Sequence, residues 1–294
     1  MEKLSTNNKQ PSTISLVECP RDAMQGWHHF IPTKDKIRYI NSLLKVGFNT
    51  IDFGSFVSPK AIPQMADTKE VIAKLELQST KSKLLAIVAN TRGAAEAVMF
   101  DEIRYLGFPF SISPIFQQRN TNSSIEESLV RVEEIQELCL KNNKQLVLYL
   151  SMGFGNPYGD VYNQEILLHW AAEMAARDIT IISLADTVGL ATSQQITHAL
   201  QALIPTYKNI EFGVHLHSTQ NSFQQKLQAA ITAGCQRFDG ALKGIGGCPM
   251  AQDDLVGNMP TELMINYLES QGLPNALDKN ALQESLLIAT EIFV

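Results

Sequence analysis

The chain lacks most of the features that assign a sequence quickly. Its four cysteines, Cys19, Cys139, Cys235 and Cys248, lie far apart and show no CxxC spacing. That speaks against a disulfide framework or a structural zinc site and fits a reducing, cytoplasmic setting. Basic residues are not in excess: 24 Lys and Arg against 30 Asp and Glu give a net charge of −6. No nucleic-acid footprint results. No apolar run approaches the roughly 20 residues needed to span a bilayer, so no membrane partner is expected. The opening MEKLSTNNKQPS has neither the apolar core of a secretory signal nor the Arg-rich character of a transit peptide. Residues 1–12 read as a flexible arm. No GxGxxG follows the first strand-like run, and no linker or low-complexity segment divides the remainder.

What is present is an alternation. Strand-like runs recur as TISLVECP, NTIDFGSF, KLLAIVAN, FSISPIF, QLVLYLSM, ITIISLADT, IEFGVHLHS and RFDGALKGIG. Helical periodicity fills the intervals. One such segment places Ile37, Ile40, Leu43 and Leu44 on a single face, and another does so with Leu129, Val132, Ile135 and Leu138 after Ser124 as N-cap. Gly47, Gly107, Gly234 and Gly272 read as helix C-caps. Strands apolar on both faces and separated by helices form parallel sheets. Eight such units predict an α/β chain folded as one (β/α)8 TIM barrel over residues 13–294. KNALQESLLIATEIFV adds an extra C-terminal helical segment.

In such a barrel the chemistry sits at the carboxyl ends of the strands. There the unusual residues collect. HLH puts His215 and His217 at alternate positions of a strand, hence on one side. Asp22 after the first strand and Asn258 after the eighth complete a mixed nitrogen and oxygen set. That set suits Mg²⁺ or Mn²⁺ and is also able to hold Zn²⁺ or Co²⁺. Each member has an ordinary reading as well: two rings hydrogen-bonded among polar loops, an ion-paired aspartate, a turn asparagine. Arg21 reads either as an ion-pair residue or as a fixed cation for a developing oxyanion. Cys248, in GGCP, reads as a small buried residue or as a thiol on a shaped loop. Asp186, in SLADTVG, reads as a strand brace or a site residue. Met152 and Met250 read as packing residues, and His28, His29, His169 and His198 as surface or loop histidines without ligand spacing.

PRDAMQ, SFVSPKAIPQM, SLADTVG, HLH and GIGGCPMAQ followed by GN together resemble the 3-hydroxy-3-methylglutaryl-CoA lyase family. This is a branch of the metal-dependent lyase and acyltransferase barrels, and the likeness runs from about residue 14 to about residue 272. The resemblance implies a divalent ion, Mg²⁺ or Mn²⁺, held by Asp22, His215, His217 and Asn258. It implies Arg21 at the enolate oxygen of a thioester, His215 as base, and Cys248 transferring a proton from a mobile loop. Gln25, Ser55, Ser183, Asp186 and Thr187 align with residues lining the acyl pocket. The implied reaction is retro-Claisen cleavage of an acyl-CoA partner to acetyl-CoA and acetoacetate, a step of leucine degradation. A homodimer stays open.

Three positions depart from the family pattern. Asp52, aligned with a catalytic carboxylate, stands where a glutamate is usual. Ser218 replaces an acidic residue after the second histidine, and Asn156 replaces a cysteine. These changes leave room for a lyase acting on a different 3-hydroxyacyl-CoA. A Claisen-condensing acyltransferase of the same superfamily usually carries a substantial C-terminal region beyond the barrel. A metal-dependent amidohydrolase places its HxH on the first strand, whereas here it falls on the seventh.

Overall fold

Strands buried on both faces need a partner on each edge and helices on the outer face, and closing the sheet satisfies both demands. The computed structural model describes residues 14–219, 221–247, 256–273 and 276–294. In it the chain forms β1 (Ser15–Glu18), β2 (Thr50–Ser55), β3 (Lys83–Ile87), β4 (Ile103–Ser111), β5 (Gln145–Ser151), β6 (Ile181–Asp186), β7 (Glu211–Leu216) and β8 (Arg237–Gly240). Each pairs in parallel with the next, and β8 closes on β1 through Ser15↔Arg237 to Glu18↔Gly240. This is the (β/α)8 barrel the alternation predicts.

The outer helices follow their sequence signals. Helix Ile125–Lys141 starts with a capping box: Ser124 accepts from the Glu127 N–H, and the Glu127 side chain accepts from the Ser124 N–H. Val132 and Ile135 of its predicted stripe are fully buried. The C-terminal segment forms helix Lys279–Ile292, N-capped by Asp278. It packs on helix Thr33–Val46, where the Ser285 hydroxyl donates to that of Ser42 at 2.9 Å. Phe293 sets its ring edge-on against Trp27 and Tyr39. No helix among the described residues is long and apolar enough to cross a membrane.

The fourth strand differs from expectation. Only Phe110 and Ser111 of FSISPIF lie in a strand: β4 ends at Ser111, and Pro114–Thr121 is a helix capped by Ser113. The true strand, IRYLGFPFS, is disguised because Gly107 and Pro109 interrupt its apolar pattern. Gly107 is therefore no helix C-cap but an interior position of β4, whereas Gly47, Gly234 and Gly272 do follow helices with φ of 87°, 90° and 72°. The eighth strand is also shorter than RFDGALKGIG, stopping at Gly240 before a helical turn, Leu242–Gly244.

Gly107 is required by space. A Cβ there would lie 2.5 Å from Ile87 Cδ1 and 3.1 Å from both Leu85 Cδ2 and Tyr149 Cε2. Gly107→Ala should destabilise the barrel by about 1–3 kcal/mol, as overpacking does. A lower denaturant midpoint is the expected reading, and an unchanged midpoint would show that these three side chains yield freely.

Candidate active site

Proline at the first position of helix Pro20–Gln25 starts a new element directly after β1. The first turn thus holds Arg21 and Asp22 over the carboxyl end of the barrel. A cavity of about 140 Å³ opens there, lined by residues from the carboxyl ends of β1 to β7. Arg21, Asp22 and Gln25 come from the β1 side, Ser55 and Val57 from β2, Ile87 and Ala89 from β3. Pro109, Tyr149, Ser151, Ala185, Thr187, His215 and His217 follow from β4 to β7.

Arg21 is clasped by two carboxylates. Its Nε donates to Asp52 Oδ1 and Oδ2 at 3.2 and 3.0 Å, its Nη2 donates to Asp52 Oδ2, and its Nη1 donates to Asp22 Oδ1 at 2.9 Å. Burial pushes the Asp52 carboxyl up to about 6, against the pull of Arg21. Burial acts on Asp22 in the same direction, but Arg21 and the two imidazoles override it and hold Asp22 at about 2. Gln25 Nε2 and Asn258 Nδ2 each donate to Asp22 at 2.7 Å. Asp52 is not on the cavity wall. It stands behind Arg21 and fixes the guanidinium.

Second-row groups decide the tautomers of the histidines. A carbonyl only accepts, so the 2.9 Å contact from His217 Nδ1 to the Thr187 oxygen requires the proton on Nδ1. His217 Nε2 then carries a lone pair, and it is buried without a hydrogen-bond partner among the described residues. Burial first, then His215, pushes His217 down to about 4, so it stays neutral. His215 Nδ1 faces Asp239 Oδ2 at 3.3 Å. Burial opposes charge on His215, but the hydrogen bond and charge of Asp239 outweigh it and leave its pKa raised.

Ligand atoms of Asp22, His215 and His217 all lie within 4.8 Å of one another. The residues fit a divalent ion: one ionised carboxylate, two imidazoles, and a buried nitrogen, His217 Nε2, with no hydrogen-bond partner among the described residues. Asn258 is buried beside them, its amide nitrogen donating to Asp22 and to the Ile245 carbonyl at 2.9 Å. Its oxygen, with no hydrogen bond among the described residues, is the atom left to meet a cation.

Of the predicted pocket residues, Gln25, Ser55 and Thr187 line the cavity. The Thr187 hydroxyl is already engaged, accepting from the Met152 N–H at 2.8 Å. Ser183 and Asp186 are buried outside the cavity lining. Asp186 accepts from Lys226 Nζ at 2.6 Å and from the Ala191 N–H at 2.9 Å, which makes it a brace at the end of β6. Cys248 and Met250 lie outside the described residues. Sequence reasoning passed over Asp239, Lys226 and the wall residues Tyr149, Ser151, Phe116, Asn120 and Thr121. Asp239 carries no local mark of its role, and the register of β8 against β7 is what sets it opposite His215.

A closed parallel barrel with a His–His–Asp cluster and a clasped arginine at its carboxyl mouth is the architecture of a (β/α)8 enzyme. The chain belongs to the HMGL-like family, whose profile matches residues 14–287. It is 31% identical to the 3-hydroxy-3-isohexenylglutaryl-CoA/hydroxymethylglutaryl-CoA lyase of Pseudomonas aeruginosa, over 94% of this chain and 91% of that protein. It is 32% identical to the cytoplasmic 3-hydroxy-3-methylglutaryl-CoA lyase of Rattus norvegicus, over 94% of this chain and 80% of that one. The HMG-CoA lyase from Acinetobacter baumannii, solved with coenzyme A and 3-methylmalate, superposes with a TM-score of 0.88. That pair shares 29% identity over 96% of this chain and 91% of the other.

Replacing His217 with alanine should remove most of the divalent metal that co-purifies with or is titrated into the protein. Elemental analysis giving full occupancy in that variant would remove His217 from the cation set.

Proposed function

We propose that this protein is a carbon–carbon lyase that cleaves 3-hydroxy-3-methylglutaryl-CoA to acetyl-CoA and acetoacetate. The observation that carries the reading is the Asp22–His215–His217 cluster facing the same cavity as the doubly clasped Arg21. The names of the relatives, across bacteria and animals, support the same substrate. A cytoplasmic setting belongs to the proposal too, as for the rat relative whose name carries that word.

Asp22, His217 and Asn258, with His215, would hold a divalent ion, Mg²⁺ or Mn²⁺. When bound it supplies Lewis acidity toward substrate oxygens. His215 has a single lone pair, at Nε2, so at any moment it serves the ion or takes a proton. Its assigned part in turnover is to accept the proton of the tertiary hydroxyl, with Asp239 stabilising the imidazolium charge. Breaking the C2–C3 bond moves an electron pair onto the thioester oxygen as an enolate. Arg21 meets that charge from a fixed position, because Asp52 and Asp22 leave its guanidinium no freedom to swing. Protonation at carbon, the step the family resemblance gives to Cys248, would leave a thiolate, and passage of the proton held by His215 to that thiolate would restore both groups and complete the cycle.

Arg21→Met should lower kcat by on the order of 10²–10³ while KM changes little, since the enolate charge exists only along the reaction path. Acetoacetate release measured against acyl-CoA concentration gives both constants. A change confined to KM would leave Arg21 as a substrate anchor only.

The cavity wall favours a second, wider reading of the acyl group. Val57, Ala61, Ile62, Ile87, Ala89 and Phe116 form an apolar side, and two of these are alanines. One methyl at C3 does not require so much apolar surface, and the Pseudomonas aeruginosa relative is named for a substrate with a longer C3 branch as well. Lengthening the C3 alkyl group by three or four carbons should therefore keep kcat/KM within about tenfold, since each buried methylene favours binding. Ala61→Phe should shift the ratio toward the methyl substrate. A steep loss with length in the parent enzyme would restrict the site to methyl.

A further inference from the structure

Below the cavity, the inner face of the barrel carries a charge pair, Arg237 and Asp239, of which the reaction scheme uses the carboxylate alone. Arg237 and Asp239 alternate on β8 and pair across to Gly213 and His215 on β7. Arg237 is 1% exposed, the bulkiest of the fully buried side chains. Its stem lies where a side chain at 213 would be: a Cβ on Gly213 would meet Arg237 Cδ at 2.8 Å and Cγ at 2.9 Å. Gly213 thus makes the room that Arg237 occupies. The guanidinium Nε stands 4.0 Å from Asp239 Oδ1, and neither atom has a hydrogen-bond partner among the described residues. The other Asp239 oxygen faces His215 Nδ1. Tyr149 closes the remaining side, its ring edge-on to His215 with centroids 5.8 Å apart.

We propose that Asp239 is a positioning residue for His215, that Arg237 is its buried counter-charge, and that Gly213 exists to admit that arginine. The physical case is one of orientation. A carboxylate can only accept, so it fixes the proton of a neutral imidazole on Nδ1 and points the Nε2 lone pair up toward Asp22 and His217. A buried carboxylate with no cation nearby would be costly to keep in place. Arg237 supplies that cation from below, its Nε 4.0 Å from the carboxylate oxygen that does not face the ring, so the charge of the carboxylate is met without competing for the oxygen that faces His215. Both duties assigned to His215, holding an ion and taking a proton, need the same free lone pair.

The inference rests on the proposed function only in its kinetic arm. Its first test needs no substrate: ¹⁵N NMR of the imidazole nitrogens in the metal-free, full-length protein should show His215 protonated at Nδ1. A His215 protonated at Nε2 in the parent protein overturns the proposal, whether or not any variant folds. In Asp239→Asn, the amide is able to donate to Nδ1, so the proton should move to Nε2. Metal affinity and kcat should fall about 10–100-fold, the usual size of such supporting effects, with KM within about threefold. Arg237→Met should move every readout in the same direction by less. Parent-like tautomer, metal affinity and kcat in Asp239→Asn overturn the role of Asp239, and parent-like values in Arg237→Met overturn that of Arg237. If no acyl-CoA is cleaved by the parent, the functional reading fails while the tautomer and metal readings still decide this one.

Discussion

Keeping charge in a place from which water is nearly excluded is the constraint around which this site is arranged. Arg21 is 8% exposed, and a guanidinium so placed must be paired on more than one edge. Asp52 on β2 takes one edge and Asp22 takes the other, which locks the arginine and orients Asp22 at the same time. The same demand recurs round the barrel, where Lys226 meets Asp186 and Arg237 meets Asp239. Arg21, Lys226 and Arg237 thus face Asp22, Asp52, Asp186 and Asp239. One carboxylate's charge is left over, and the two imidazoles collect beside Asp22. A cation arriving there finds a surplus of negative charge and nitrogen lone pairs already turned toward it.

Legibility in the sequence followed the strength of the periodic signal. Eight apolar runs and their helices were enough for the barrel, because a parallel sheet buried on both faces leaves a pattern that polar residues rarely break. IRYLGFPFS escaped for the opposite reason: Gly107 sits where the barrel interior has no room for a side chain, and Pro109 adds a second break. At the site, HLH and RD were readable because alternation and helix start fix where their side chains go. Asp239 and Lys226 were not, because a lone aspartate or lysine carries no local mark of its partner. Only the pairing of β8 with β7 sets Asp239 opposite His215. Asp186 shows the limit of reading by likeness alone, since its carboxylate is occupied by Lys226 and Ala191 rather than turned to the cavity.

The departures from the family pattern acquire physical meaning when their neighbours are considered together. Asn156 is a loop builder: its Oδ1 accepts from the Tyr158 and Asp160 N–H groups, and its Nδ2 donates to the Asp160 carbonyl. A turn of that kind needs a short amide, not a thiol. Asp52, shorter than glutamate, still reaches Arg21 through two donors, Nε and Nη2. Ser218 matters through what surrounds it. Lys226 Nζ donates to Asp186, to the Gly189 carbonyl at 2.9 Å and to the His217 carbonyl at 2.8 Å, so one ammonium ties the ends of β6 and β7 together. Those two ends carry Thr187 and His217, whose mutual hydrogen bond aims the Nε2 lone pair. Ser218 itself is buried, and its hydroxyl has no hydrogen-bond partner among the described residues. An acid there would add a further buried carboxylate next in sequence to His217, while all three Lys226 donors are already engaged. Serine adds no charge, and the lysine clamp holds in place the strand ends on which the histidine geometry depends.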